Sequence, residues 1–155
     1  MAQSSIPAVL DYLVANIAGL GLPGVIVSDG FTNKRGDAMV LVGVSDESGD
    51  SSSVQEWAAI GNNAQTESYD VPCLITCFSG SVSAKVPRDK AFAILTKVSD
   101  LILTDPSLAD ALHGWAHISD VRLTQTNDPE QASEGRRASV YFTVHVENRL
   151  TARSQ

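Results

Sequence analysis

The stretch Arg136 to Leu150, RRASVYFTVHVENRL, constrains the fold most. Ala138, Val140, Phe142, Val144 and Val146 fall on one side of an extended chain, and Ser139, Tyr141, Thr143, His145 and Glu147 on the other. Strict alternation over this length describes a β-strand with one face on a core and one face open to solvent or a partner. A one-residue slip would reverse the two faces, so the pattern also sets the strand's register. Nothing in the segment carries catalytic chemistry.

The preceding elements can be read in order. A helix is expected from about Ile6 to Leu20, capped by Ser4 or Ser5, with Pro7 in its first turn, where a missing N–H costs nothing. Val9, Leu10, Leu13, Val14, Ile17 and Leu20 form its apolar stripe, and Gly19, Gly21 and Pro23 end it. Short strands are expected at about Gly24–Ser28 and Ala38–Ser45, joined by the turn-rich DGFTNKRGD. Glu67–Ser81 reads as a long strand with apolar residues on both faces near its middle, which suggests a central place in a sheet. Its Pro72 cannot donate to a ladder, so it marks a bulge, a strand start or an edge stretch. A second helix is expected from about Pro87 to Leu103, with Ala91, Ile94, Leu95, Val98, Leu101 and Ile102 as its buried stripe. Asp105-Pro106 stops it, a short helical turn through Leu108–Leu112 follows, and a strand from about Ala116 to Thr126 pairs with the closing strand.

The order α-β-β-β-α-β-β predicts one α+β domain over residues 1–155. A mostly antiparallel sheet of about five strands should carry its two main helices on one face. The helix residues Ile94, Leu95, Val98, Leu101 and Ile102 should pack on Val140, Phe142, Val144 and Val146. Asp46–Ser53 and Asn127–Gly135 lack apolar anchors and are expected to be mobile loops, the second at a hairpin tip.

Catalytic and ligand motifs are absent. GLGLPG at residues 19–24 matches a dinucleotide fingerprint in letters, but it follows a helix and precedes a strand, the reverse of what phosphate binding needs. Ser79-Gly80-Ser81 is not a nucleophile elbow. His113 and His117 could be a metal pair on a helix, but Gly114 and the strand-like residues after them oppose that geometry, and no third ligand stands near. Asp46, Glu47 and Asp50 lack the ordered spacing of a calcium loop. Cys73 and Cys77 share one face of a strand at roughly 13 Å, too far for a bridge, and read as buried free thiols. His145 reads as a solvated or interface histidine. No catalytic, cofactor or metal site is expected, and an enzyme or small ligand-binding module is the remote alternative.

The formal net charge of −7 lowers the chance of a nucleic-acid reader, which would carry a basic patch. No signal peptide or membrane span is apparent, so the chain is expected to be soluble and made in the cytoplasm.

ESYDVPCLITC, the amphipathic helix, DPSLADALHGWAHISDVRL and RRASVYFTVHVENRL together resemble the tail terminator, or tail completion, family of long non-contractile-tailed bacteriophages. The matching positions are Asp105, Pro106 and Leu108 at the helix end, then Arg137, Ala138, Val144, Val146, Arg149 and Leu150 in the closing strand. The N-terminal helix and Val40–Gly43 also fit, so the resemblance spans most of the chain. It implies a virion protein forming a homo-hexameric ring on the head-proximal end of the tail. The ring would stop tube polymerisation, face the tail tube protein on one side and a head completion or neck protein on the other, and pass DNA through its lumen without sequence-specific binding. Another head–tail joining, neck or minor tail protein is the nearest alternative. Arg136, Arg137 and Arg149 flank the closing strand and are the candidate contacts to acidic groups on a neighbouring subunit, since an unpaired buried arginine is costly.

Overall fold

The computed structural model of the chain describes residues 4–30, 32, 36–44, 58–60, 66–80, 83, 85–126 and 136–149. Helix α1 spans Ile6–Ala18 and buries Val9, Leu13 and Ile17. Strands β1 (Val25–Asp29) and β2 (Ala38–Val42) follow, then a three-residue strand β3 (Ala58–Ile60) and the long strand β4 (Thr66–Ser79). Helix α2 (Lys85–Thr104) leads to β5 (Gly114–Thr126) and β6 (Arg136–Arg149). The fold is α+β, with a mostly antiparallel sheet in the order β1-β2-β4-β6-β5 and β3 paired to β4. β3 is an addition to the expected order. The loops expected at 46–53 and 127–135 lie outside the described residues.

Both helices share one core with one face of the sheet. Ile94, Leu95, Val98 and Ile102 of α2 cluster with Val140, Phe142, Val144 and Val146 of β6, and Leu101 packs at the margin. Phe142 is 1 % exposed, while its neighbours Tyr141 and Thr143 are half-buried on the opposite face. The alternation therefore sets the register as expected. The opposite face carries a smaller cluster of Leu41, Val44 and Leu74 with Met39 and Tyr141 beside it.

β4 is a central strand, and Pro72 sits in its middle. One edge of β4 pairs with β6 throughout; the other pairs with β2 over Cys73–Cys77 and with β3 over Glu67–Tyr69. Pro72 lies in the gap between those partners. Gly43 N donates to Pro72 O at 2.7 Å, and the reciprocal bond, which proline cannot make, falls where β2 has already ended. Gly43 holds φ 84, which lets the chain leave the sheet there at no side-chain cost.

One pairing departs from the antiparallel rule: β1 and β2 run parallel, from Val25↔Ala38 to Asp29↔Val42. Parallel neighbours ordinarily need a crossover of about a dozen residues or more. Here eight residues, 30–37, separate the two strands. Gly30 N bonds Val42 O at 2.8 Å, and a side chain at Gly36 would come within 2.8 Å of Ile26 Cδ1. The turn after α2 also differs from the right-handed turn expected. Leu108, Ala109 and Asp110 hold φ 54, 56 and 65, a left-handed turn that costs L-residues roughly 1–2 kcal/mol each. Burial of Leu108 and Leu112 offsets that strain, and so does the Asp105 carboxylate, which accepts from Ala109 N at 2.7 Å and Ser107 Oγ at 2.9 Å.

Among the described residues no helix is long and apolar enough to cross a membrane. Truncation at the centre of the shared core tests the packing directly. Phe142→Ala should lower unfolding free energy by about 3–5 kcal/mol in a urea titration, whereas Thr143→Ala should change it by less than about 1 kcal/mol.

Candidate functional site

Two polar clusters flank the same end of the β4–β6 ladder, one on each face. On the core side, Glu67 is 1 % exposed and has no basic partner among the described residues. Its carboxylate accepts from Ser4 Oγ at 2.8 Å, Ser5 N at 2.7 Å, Asn148 Nδ2 at 3.0 Å and the Ser5 hydroxyl. Ser5 is the N-cap of α1 and makes no side-chain cap bond of its own. The carboxylate of β4 thus takes over the capping of α1, where the helix's positive end favours an anion. Asn148 extends the network by accepting from His113 N at 2.8 Å, and Tyr69 Oη lies 2.7 Å from Ser5 Oγ. Burial, the largest single influence, pushes the Glu67 carboxyl up; the bonds from Ser5, Asn148 and Ser4 together more than reverse it and hold it below the usual range.

On the other face, His145 Nδ1 lies 2.6 Å from Asp70 Oδ1 and its Nε2 lies 2.9 Å from Glu147 Oε1. A neutral imidazole has one N–H; both contacts are satisfied only by the imidazolium. The hydrogen bond to Asp70 is the chief cause that raises the His145 pKa, followed by that to Glu147, and the imidazolium in turn lowers Glu147. Ser68 Oγ donates to Glu147 Oε1 at 3.0 Å. β5 adds two rings to the patch: Trp115 and His117 have centroids 4.9 Å apart, and each lies within 5.9 Å of His145. Trp115 is 45 % exposed, so the patch is a surface and not a pocket.

Further along the face, β5 bulges between Ser119 and Arg122. The bulge borders an open groove of about 450 Å³ lined by Val44, Pro72, Asp120, Arg122, Tyr141 and Thr143. Arg122 lies over the Tyr141 ring at 4.7 Å. Cys73 and Cys77 are buried and free, and burial pushes their thiols up to about 12 and about 11, so neither is a thiolate nucleophile at neutral pH. Among the described residues no three His, Cys, Asp or Glu side chains converge as metal ligands would.

The three arginines singled out from sequence are not brought together. Arg136 and Arg137 stand at one end of β6, opposite Ser79 and Phe78, and Arg149 stands at the other, opposite Thr66, roughly 40 Å away. Arg137 is engaged within the subunit: it donates to Thr76 Oγ1 at 3.0 Å and lies 5.9 Å over the Phe78 ring. Arg149 is exposed and in step with His145 and Glu147 on the open face. The functional reading missed Glu67, Asp70 and Trp115. Alternation put His145 and Glu147 on one face, but only the pairing with β4 and β5 supplies their neighbours. In comparisons with known proteins, no family model and no curated protein matches the chain.

Both clusters make pH-dependent predictions of opposite sign. Glu67 is depressed in the fold, so its contribution is full above the unfolded carboxyl value of about 4.3 and is lost as pH falls through the lower folded value. Glu67→Gln should therefore cost about 1–3 kcal/mol at pH 7 in denaturant titrations, with the gap to the parent closing in acid. His145 is raised, so its contribution is full below about 6.5 and is lost as pH rises through the folded value. An NMR titration should place the His145 ring above the value measured for His145 in the unfolded chain; Asp70→Asn should bring it down.

Proposed function

We propose that the chain is a ring-forming tail terminator that caps the head-proximal end of a bacteriophage tail tube, stops its growth and presents a surface for head attachment. The observation that supports this reading is the form of the exposed sheet. Among the described residues one face of the sheet carries no helix, and the outer strand β5 is an edge for thirteen residues, bearing exposed Trp115 and Val121. A long edge with exposed apolar side chains invites pairing with another chain, and closure into a cyclic assembly turns that hazard into a defined interface. The absence of a metal cluster or activated nucleophile among the described residues is compatible with a purely structural role.

In this reading the subunit is a homo-hexamer in the virion, with the tail tube protein on one rim, a head completion or neck protein on the other, and DNA passing through the lumen. A net charge of −7 suits a conduit that must not hold DNA. Of the candidate interface arginines, Arg149 is the best placed for a neighbour; Arg136 and Arg137 would act from the opposite end of β6.

Disrupting the gene and imaging the particles by electron microscopy tests the reading. Overlong tails, or stable heads and tails that fail to join, are the expected outcome. Normal virions, or turnover of a small molecule by the purified protein, would overturn it.

A further inference from the structure

The exposed apolar residues fall into two groups, one beside lysines and one beside carboxylates. Val86, Phe92 and Leu103 lie on the outer side of α2, and Trp115 and Val121 on β5. α2 carries Lys85, Arg88, Lys90 and Lys97 against Asp89 and Asp100, so it is net positive by two in a chain of −7. Asp89 is shared by Lys85 at 2.5 Å and Arg88 at 3.5 Å, which leaves Lys90 and Lys97 with no carboxylate partner among the described residues. Their neighbours on the exposed side include Val86 and Ala93, at helical spacing. Across the molecule, Trp115 lies opposite Glu147 in the β5–β6 register and 5.9 Å from the His145 ring, which Asp70 holds from β4. The Asp70 and Glu147 side chains are 55 % and 36 % exposed, and the cations of this face are the His145 imidazolium and, two residues beyond Glu147, Arg149. α2 covers one face of the sheet and this patch lies on the other, so the two surfaces point in opposite directions.

We propose that consecutive copies of this chain join head to tail, the outer face of α2 in one copy seating on the Trp115–Asp70–Glu147 patch of the next. The proposal deepens the ring reading above and rests on it. Charge complementarity is what selects a second copy as the occupant: a lysine-bearing apolar helix face meets an exposed indole flanked by carboxylates. Lys97 or Lys90 can lie on the indole face while its ammonium reaches a carboxylate. Exposed tryptophans at the centre of such contacts typically carry a large share of the binding energy. Two different surfaces make the contact heterologous, which closes into a ring when the rotation between copies allows it.

The test uses the full-length protein in sedimentation velocity over a wide concentration range. The parent should self-associate, more weakly as salt is raised. Lys90→Glu with Lys97→Glu, and separately Asp70→Lys with Glu147→Lys, should each weaken association by about tenfold or more. An equimolar mixture of the two charge-reversed proteins should recover it, because every contact between unlike copies is again complementary in an alternating assembly. Trp115→Ala, which leaves all the charges in place, should weaken association with the parent's thermal unfolding retained. Zero-length carboxyl-to-amine cross-linking of the parent should join Lys90 or Lys97 to Asp70 or Glu147, a link that only two copies can make. A monomeric parent, variants that associate like the parent, or no recovery on mixing would overturn the interface. So would cross-links from the patch to a tail tube subunit with none between copies. Rings held through other surfaces would sink this interface and leave the tail-terminator reading standing, whereas assembly through these faces alongside normal virions after gene disruption would do the reverse.

Discussion

The register between β4 and β6 is the constraint on which the rest of the structure depends. The two strands pair from Thr66↔Arg149 to Ser79↔Arg136. Because side chains alternate, a slip of one residue would move Phe142, Val144 and Val146 from the core to the open face. Apolar burial resists the slip across the middle of the ladder. At one end the register is held by polar pairs on both faces: Glu67 opposite Asn148 on the core side, Ser68 opposite Glu147 and Asp70 opposite His145 on the other. These bonds are directional, and a slip would leave the buried Glu67 carboxylate without its donors, which is costly in a way that mispaired valines are not.

The same end of the ladder therefore joins the two layers and prepares the outer surface. Glu67 fixes the start of α1 against β4, while one residue further on, and on the other face, Ser68 and Asp70 hold Glu147 and His145 beneath Trp115 and His117. Holding these side chains in place lowers the conformational entropy a partner must remove on docking. A surface whose rings and carboxylates are already positioned is suited to contact with another protein.

Much of this was legible from residues whose neighbours are local. The strand alternation in 138–147 and the stripes Val9–Leu13–Ile17 and Ala91–Ile94–Leu95–Val98–Ile102 depend only on the periods of strand and helix, and each meets the core where its spacing puts it. What stayed hidden depends on partners distant in sequence. β3 is strand-like only because Glu67–Tyr69 lies beside it, and β1 runs parallel to β2 although the short connection between them gives no such signal. Leu108 reads as the start of an ordinary helical turn, yet its burial and the Asp105 carboxylate favour the left-handed one. Pro72 was ambiguous among bulge, start and edge because the gap it occupies is created by the ends of two other strands. The His145 cluster draws two residues from each of three strands, so its members appear in sequence as unrelated surface positions.

Charge distribution gives a last reason to regard the two exposed surfaces as a matched pair. Subunits carrying −7 repel one another when packed side by side, and at physiological salt that repulsion acts over about 8 Å, the distance across which adjoining surfaces face each other. Placing a net positive helix where copies would meet converts the nearest part of that repulsion into attraction and leaves the remaining surface more acidic than the average. In the proposed ring the surplus negative charge would fall on the rims and the lumen. A heterologous contact between α2 and the Trp115 patch would use one face from each layer of the fold, leaving the two rims chemically different. The proposed assembly, with a different partner at each end, would require that asymmetry, which an isologous pairing of like faces would cancel.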